Sequence, residues 1–212
     1  MSNIYYFLAI IPAIILHEVS HGYVAYLCGD PTAKNAKRLT LNPIRHVDPF
    51  GTLILPLVLI VSHIPPIGYA KPVPVNVSRL RKPRNQSVYV SLAGPLTNIV
   101  LSALAFLYIK HAIVHLNGQA YLTSTTINNY VLAFGLVNML LAVFNLLPIP
   151  PLDGSAVIER FVPRRHLPAY YNLRARALPI VMALLILNAI TLHLGETWFG
   201  SLQNWWLNLA AS

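Results

Sequence analysis

His17, Glu18 and His21 spell H-E-V-S-H inside an otherwise apolar segment running from Ile4 to Cys28. On a helix, positions i and i+4 share a face, so both imidazoles can reach one zinc ion while Glu18 borders the metal and handles a water proton. That is the chemistry of hydrolysis by an activated water. Its setting sharpens the point: insertion scales charge about 2.5–3.5 kcal/mol for an ionised carboxylate at the centre of a spanning helix. The bland alternative, two satisfied core histidines near a surface glutamate, leaves that cost uncompensated.

Catalytic zinc usually has three protein ligands and keeps one position for water. H-E-V-S-H supplies two, and His46, His63, His111, His115, Asp48, Asp153 and Glu159 are all candidates for the third. Sequence distance does not decide among them. Depth in a membrane does, and depth follows from the elements that carry these residues.

Of the 212 residues, 56% are hydrophobic and 10% charged, far below the roughly 25% charge of an average soluble domain. The composition predicts an integral, multi-pass membrane protein with room for a single membrane domain, 1–212, and a lipid bilayer as its solvent. Four runs are long enough to cross: Ile4 to Cys28, Ser87 to Ile109, Asn128 to Leu147 and Leu178 to Leu194. The net charge of +9 could suggest nucleic acid, but the 15 basic residues fall in loops between apolar runs and read as topology signals. No nucleic-acid partner is expected. The first 30 residues lack a basic n-region and carry the histidine motif, so they are read as mature protein rather than as a signal peptide. A lone Cys28 excludes an internal disulfide.

A fifth apolar run, Phe50 to Ile64, is short and contains Pro56. Lys34, Lys37, Arg38 and Arg45 precede it and Lys71, Arg79, Arg81, Lys82 and Arg84 follow it, so the positive-inside rule assigns both flanks to the cytoplasm. The run must enter and return. Five prolines and glycines between Pro65 and Pro74 exclude a continuous helix there. The segment from Gly51 to Pro74 is therefore expected to form a re-entrant, partly β hairpin beside the site. The connection from His111 to Ile127 has no Lys or Arg, whereas Pro148 to Ala177 carries Arg160, Arg164, Arg165, Arg174 and Arg176, so outside and inside alternate. The tail from Gly195, with Trp198, Trp205 and Trp206, has the pattern of an interfacial helix anchored by indoles.

With that topology, His17 and His21 lie in the inner half of the first helix, about 10–15 Å from its cytoplasmic end at 1.5 Å per residue. His111 and His115 belong to the outer end of their helix. Asp153 follows N-L-L-P-I-P-P-L-D-G, where Pro148, Pro150 and Pro151 interrupt the third long helix near its inner end and free the chain to turn back. Its carboxylate can arrive at the depth of the imidazoles. The competing role for Asp153 is an N-cap for the next helix; the histidine pair and the matching depth favour metal. Asn138 and Asn145 share a face on the third long helix, where they either meet substrate or bond other helices. Gly94, Asn98 and Ser102 form an i, i+4, i+8 ladder, explained by helix packing for Gly94 and Ser102, with Asn98 also suited to orient a ligand or donate to a carbonyl.

H-E-V-S-H, G-P-L-T-N at Gly94 to Asn98 and N-L-L-P-I-P-P-L-D-G at Asn145 to Gly154 together resemble the three core helices of the site-2 protease family of intramembrane zinc metalloproteases, peptidase family M50. The resemblance spans about residues 10 to 160. It implies a membrane all-α fold, a polytopic helical bundle with a three-helix metalloprotease core and a β region after the first core helix. It also implies one Zn2+ per chain held by His17, His21 and Asp153, Glu18 as the catalytic carboxylate, and Asn98 and Asn145 bordering the substrate site. Leu41 to Gly51 is similar to the corresponding loop of short prokaryotic members, which leaves His46 and Asp48 either lining the site or making a turn. The chain has space for neither a PDZ nor a CBS domain.

The expected activity is hydrolysis of peptide bonds in or near the transmembrane segments of membrane-protein substrates, at a site toward the cytoplasmic side of the cell membrane. The rival is a membrane zinc transporter or metal sensor built on the same His/His/Asp group.

Overall fold

The computed structural model describes residues 3–48, 54, 71–116, 119–187 and 194–211. Three long helices form its centre: α1 (Asn3–Leu27), α3 (Pro83–Ala112) and α4 (Thr126–Leu146), each packed against the other two. Between α1 and α3 lies the single-turn helix α2 (Thr32–Asn35). After α4 come the short α5 (Ser155–Phe161), then α6 (Leu167–Leu187) and α7 (Leu194–Ala211). Among the described residues, Ile4–Leu27, Pro83–Ala112 and Thr126–Leu146 are the helices long and apolar enough to cross a membrane. This is a membrane all-α fold.

Local chemistry sets the ends of these helices. α1 stops where Gly29, at φ +109°, lets Asp30 N–H reach the Ala25 carbonyl (2.9 Å) and Gly29 N–H reach that of Tyr26 (3.0 Å). α2 stops in the same Schellman pattern, with Lys37 at φ 54° in the left-handed position and Arg38 N–H on Ala33 (3.0 Å). Pro83 opens α3, where a missing N–H costs nothing. The Thr125 hydroxyl caps α4 by accepting from Asn128 N–H at 3.1 Å.

Small side chains let the central helices approach. Ala9 and Ala13 of α1 meet Ala133 and Val137 of α4 in one fully apolar cluster. Between α3 and α4, Ser102 Oγ donates to the Gly135 carbonyl at 2.9 Å, the close packing expected of the small-residue ladder.

The Phe50 to Ile64 run and the predicted re-entrant hairpin lie outside the described residues, apart from Ile54 and residues 71–74; residues 71–76 carry no regular secondary structure. The strands that are described are elsewhere, in the connection between α3 and α4: β1 (Ile113–Leu116) pairs antiparallel with β2 (Gln119–Leu122), Ile113 opposite Leu122. The fourth predicted span also differs, since α6 begins at Leu167 rather than Leu178. Its first turns take in Arg174, which pairs with Glu159 at 3.0 Å, and Tyr170, whose hydroxyl donates to the Ser155 carbonyl at 2.8 Å. Those bonds to α5 hold a charged stretch in helix that hydropathy alone would leave outside it.

The C-terminal helix corrects the reading of its tryptophans. Trp205 is exposed, but Trp206 is only 3% exposed and packs edge-on against Phe106 at 5.4 Å, beside Ile109, Leu132 and Leu136. Its indole lies over Gly135, where a Cβ would come within 3.0 Å of the ring. Trp206 fills a notch in the helical core rather than anchoring an interface.

Candidate metal centre

The H-E-V-S-H turn of α1 faces α3 and the loop that follows α4. His17 and His21 are each 7% exposed, with Nε2 atoms 3.0 Å apart. Asp153 Oδ2 lies 3.1 Å from His17 Nε2 and 3.3 Å from His21 Nε2. Among the described residues these three form the group able to hold a metal ion, with all ligand atoms within 4.8 Å of one another.

Their protonation follows from what lies behind the rings. His21 Nδ1 is 2.6 Å from the Val90 carbonyl, which can only accept, so Nδ1 carries the proton. His17 Nδ1 is 2.5 Å from Asn98 Oδ1. The Asn98 amide is oriented in turn, because its Nδ2 donates to Asn138 Oδ1 at 2.7 Å, while Asn138 Nδ2 donates to the Phe134 carbonyl at 2.8 Å. A neutral imidazole protonated at Nδ1 presents a lone pair at Nε2. Two such lone pairs therefore face each other and a carboxylate oxygen, Asp153 Oδ2, which is buried and has no hydrogen-bond donor. Three acceptors meeting without a proton repel one another unless a cation joins them. The nitrogen and oxygen donor set suits zinc, and hydrogen-bonded outer nitrogens are what metal-ligating histidines carry.

Backbone closeness makes room for this meeting. Gly94 presses on the rings so tightly that a Cβ there would lie 2.4 Å from His21 Nε2 and 2.6 Å from His17 Nε2. The close helix packing expected at Gly94 is thus packing against the imidazoles themselves. At the far side, Asn145 C=O accepts Gly154 N–H at 2.7 Å, and a Cβ on Gly154 would meet the Leu146 carbonyl at 2.2 Å. This contact folds the proline-broken end of α4 back and delivers Asp153. The N-cap position of α5 is occupied by Gly154, with no side-chain cap, so the Asp153 carboxylate is not a capping group.

Of the other candidates, Glu159 and His46 are engaged by other partners, and His111 lies far along α3. Glu159 pairs with Arg174 and accepts from the Tyr171 hydroxyl at 2.9 Å. Buried His46 bonds through Nε2 to the Thr40 carbonyl at 2.9 Å. His111 ends α3, about 25 Å along the helix from Gly94 at 1.5 Å per residue, and His63 lies outside the described residues. The Asn145 side chain turns back on its own helix, donating to Leu141 at 3.0 Å.

Glu18 has a partner that residue types could not reveal: its Oε2 accepts the backbone N–H of Val73 at 2.8 Å. Val73 is buried, its side chain over Gly22 one turn further along α1. The strap from Lys71 to Asn76 thus crosses α1 directly over the H-E-V-S-H turn. Asp30, fully buried, grips the far end of that strap by accepting Asn76 N–H at 2.6 Å, together with the N–H and hydroxyl of Thr32. Burial pushes the Asp30 carboxyl up, but these donors and nearby Arg79 outweigh it and hold the group below its ordinary value.

Comparison with known proteins identifies relatives of the chain. Residues 5–126 and 109–188 match peptidase family M50. YwhC of Bacillus subtilis is 42% identical over 161 residues, covering 75% of this chain and 69% of that protein. Rip2 of Mycolicibacterium smegmatis is 30% identical over 204 residues, 93% of this chain and 71% of the relative. MJ0611 of Methanocaldococcus jannaschii is 38% identical over 71 residues, about a third of each chain. All three bear the name "Putative zinc metalloprotease". No solved structure matches the chain.

Proposed function

The chain belongs to peptidase family M50 and is a zinc metalloprotease with membrane-spanning helices, and from that premise we propose that it hydrolyses peptide bonds in or beside the transmembrane segments of membrane proteins. His17, His21 and Asp153 hold the zinc, and Glu18 is the general base. The observation that carries this is the meeting of His17 Nε2, His21 Nε2 and a buried Asp153 carboxylate oxygen, with all ligand atoms within 4.8 Å of one another, on a face of α1 turned into the helical core.

Bound zinc would lower the pKa of a water to about 7 and stabilise negative charge on the scissile carbonyl oxygen. The remaining steps fall to the chain's own residues. Glu18 Oε2 is engaged by Val73 N–H, which leaves Oε1 to take the proton as water attacks the carbonyl carbon, and later to give it to the leaving amine. Asn98 and Val90 hold the imidazole rings in their working tautomer throughout.

A substrate helix hides its carbonyls in hydrogen bonds, so it must unwind locally before cleavage. The site faces the cytoplasm of the cell membrane in this reading. Supporting it, basic residues gather at one end of the bundle: Arg81 N–H donates to the Cys28 carbonyl just past α1 (3.0 Å), and Arg84, in the first turn of α3, donates to the carbonyls of Arg160 (2.8 Å) and Val162 (3.0 Å) at the end of α5.

Glu18→Gln tests the proposal against a metal carrier. A protease should keep zinc at wild-type level and lose cleavage of single-span reporter proteins. A variant that cleaves as well as wild type would remove Glu18 from the mechanism, and zinc flux into proteoliposomes without cleavage would favour the carrier.

A further inference from the structure

Arg38 is a cation where cations are expensive. It is 6% exposed, no carboxylate pairs with it among the described residues, and its Nε has no partner. Its Nη2 instead donates to the Lys71 carbonyl at 2.7 Å and reaches that of Pro72 at 3.5 Å. The Pro72 carbonyl belongs to the same peptide unit as the Val73 N–H that binds Glu18. One amide plane therefore has a guanidinium on its oxygen side and the Glu18 carboxylate on its nitrogen side.

The surroundings make this arrangement stiff. Arg38 is the residue just past the left-handed Lys37 that closes α2, so its backbone direction is set by a Schellman turn. Pro72 and Pro74 restrict the strap on both sides of Val73. Lys71 N–H is held by the His46 carbonyl at 2.9 Å, and Asn76 N–H by Asp30. Only the Val73 amide in this stretch is directed at the H-E-V-S-H turn.

We propose that Arg38 is a positioning residue of the hydrolytic site, acting through the Lys71 and Pro72 carbonyls to aim the Val73 N–H at Glu18 Oε2. This rests on Glu18 being the general base. A held Oε2 fixes the carboxylate rotamer, so that Oε1 meets the water in one orientation. Without the guanidinium, the strap remains tethered at His46 and Asp30, but its middle peptide is free to rotate and Glu18 loses its fixed setting. The effect belongs in kcat, because Arg38 is buried and is not one of the residues that hold the metal.

The test uses the full-length protein in detergent micelles, with Arg38→Gln, Arg38→Lys and, as a control, Lys34→Ala, whose side chain only meets exposed Tyr26. Zinc content, site-resolved hydrogen exchange at Val73, and kinetics on a single-span reporter peptide with a mid-membrane Gly-Pro break are measured together. Arg38→Gln should retain one zinc per chain, exchange Val73 N–H at least 10-fold faster while Asn76 N–H stays protected, and lose about 10–100-fold in kcat with KM within twofold. Arg38→Lys should recover part of both losses, and Lys34→Ala should resemble wild type. Unchanged Val73 exchange in Arg38→Gln overturns the proposal, as does equal loss of protection at Val73 and Asn76 with loss of zinc, which would mark a merely structural role. Exchange at Val73 is read without substrate. A wild-type protein lacking zinc or cleavage would thus count against the protease reading, while the Arg38 contact is judged by its own signal.

Discussion

Replacing Gly94 by alanine sets a change that helices favour against one that the metal centre cannot absorb. A Cβ at this position would lie 2.4 Å from His21 Nε2, and ordinary contact begins at 3.4 Å, so the ring must retreat by about 1.0 Å. It has little freedom to do so, because His21 Nδ1 is fastened to Val90 at 2.6 Å and His17 Nδ1 to Asn98 at 2.5 Å. Zinc sites hold their ligand distances to within about 0.2 Å, and disturbing the groups that orient ligands lowers metal affinity by about 10–100-fold, or about 1.4–2.7 kcal/mol. In the helix itself, alanine for glycine stabilises by about 0.5–1 kcal/mol. Gly94→Ala should therefore bind zinc at least 10-fold more weakly in competition with a fluorescent chelator, and because overpacking against the fastened rings costs about 1–3 kcal/mol, the metal-free variant should unfold in detergent no later than the metal-free wild type. Zinc affinity within twofold of wild type would refute the reasoning, since the rings would then have room that the structure denies them.

Asn98→Ala removes the acceptor of His17 Nδ1 and the donor to Asn138 together; chelator competition should show about 10–100-fold weaker zinc binding, and melting should show a loss of about 1–3 kcal/mol for each buried group left unpaired. Affinity equal to wild type would show that His17 needs no orienting partner. The strap should respond to acid through Asp30: because its folded pKa lies below the unfolded value of about 3.9, its contribution is complete above that value and disappears as pH falls through the folded pKa. Hydrogen exchange at Asn76 should therefore be level from pH 7 to about 4, after correction for intrinsic rates, and accelerate below; Asp30→Asn should abolish that acid limb.

The bundle's long helices were readable because lipid demands long apolar runs, and α1, α3 and α4 fall within a few residues of the runs seen in the sequence. Asp153 was readable for a related reason: three prolines after α4 leave few ways for the chain to go except back. What escaped the reading lies largely in main-chain atoms. The Val73 N–H on Glu18 and the Val90 C=O on His21 belong to residues whose letters carry no such information. The spacing of Gly94 speaks for close helix packing but not for what it packs against, because a missing side chain suits any helix neighbour and a metal ligand equally. Trp206 was misjudged because an indole near an amphipathic tail fits an interface as well as a notch, and only the facing Gly135 decides between them. The start of α6 was missed because the pairing of Glu159 with Arg174 joins residues that hydropathy scores as loop.

The notch at Gly135 ties the finished core to the order in which the chain is made. Trp206 is added 60 residues after α4 is complete, and at about 5–20 residues per second that gap lasts roughly 3–12 s. During those seconds α3 and α4 exist without the indole that fills the slot beside Phe106, Ile109 and Gly135 in the finished core. The core between α3 and α4 is thus complete only once α7 has supplied its indole.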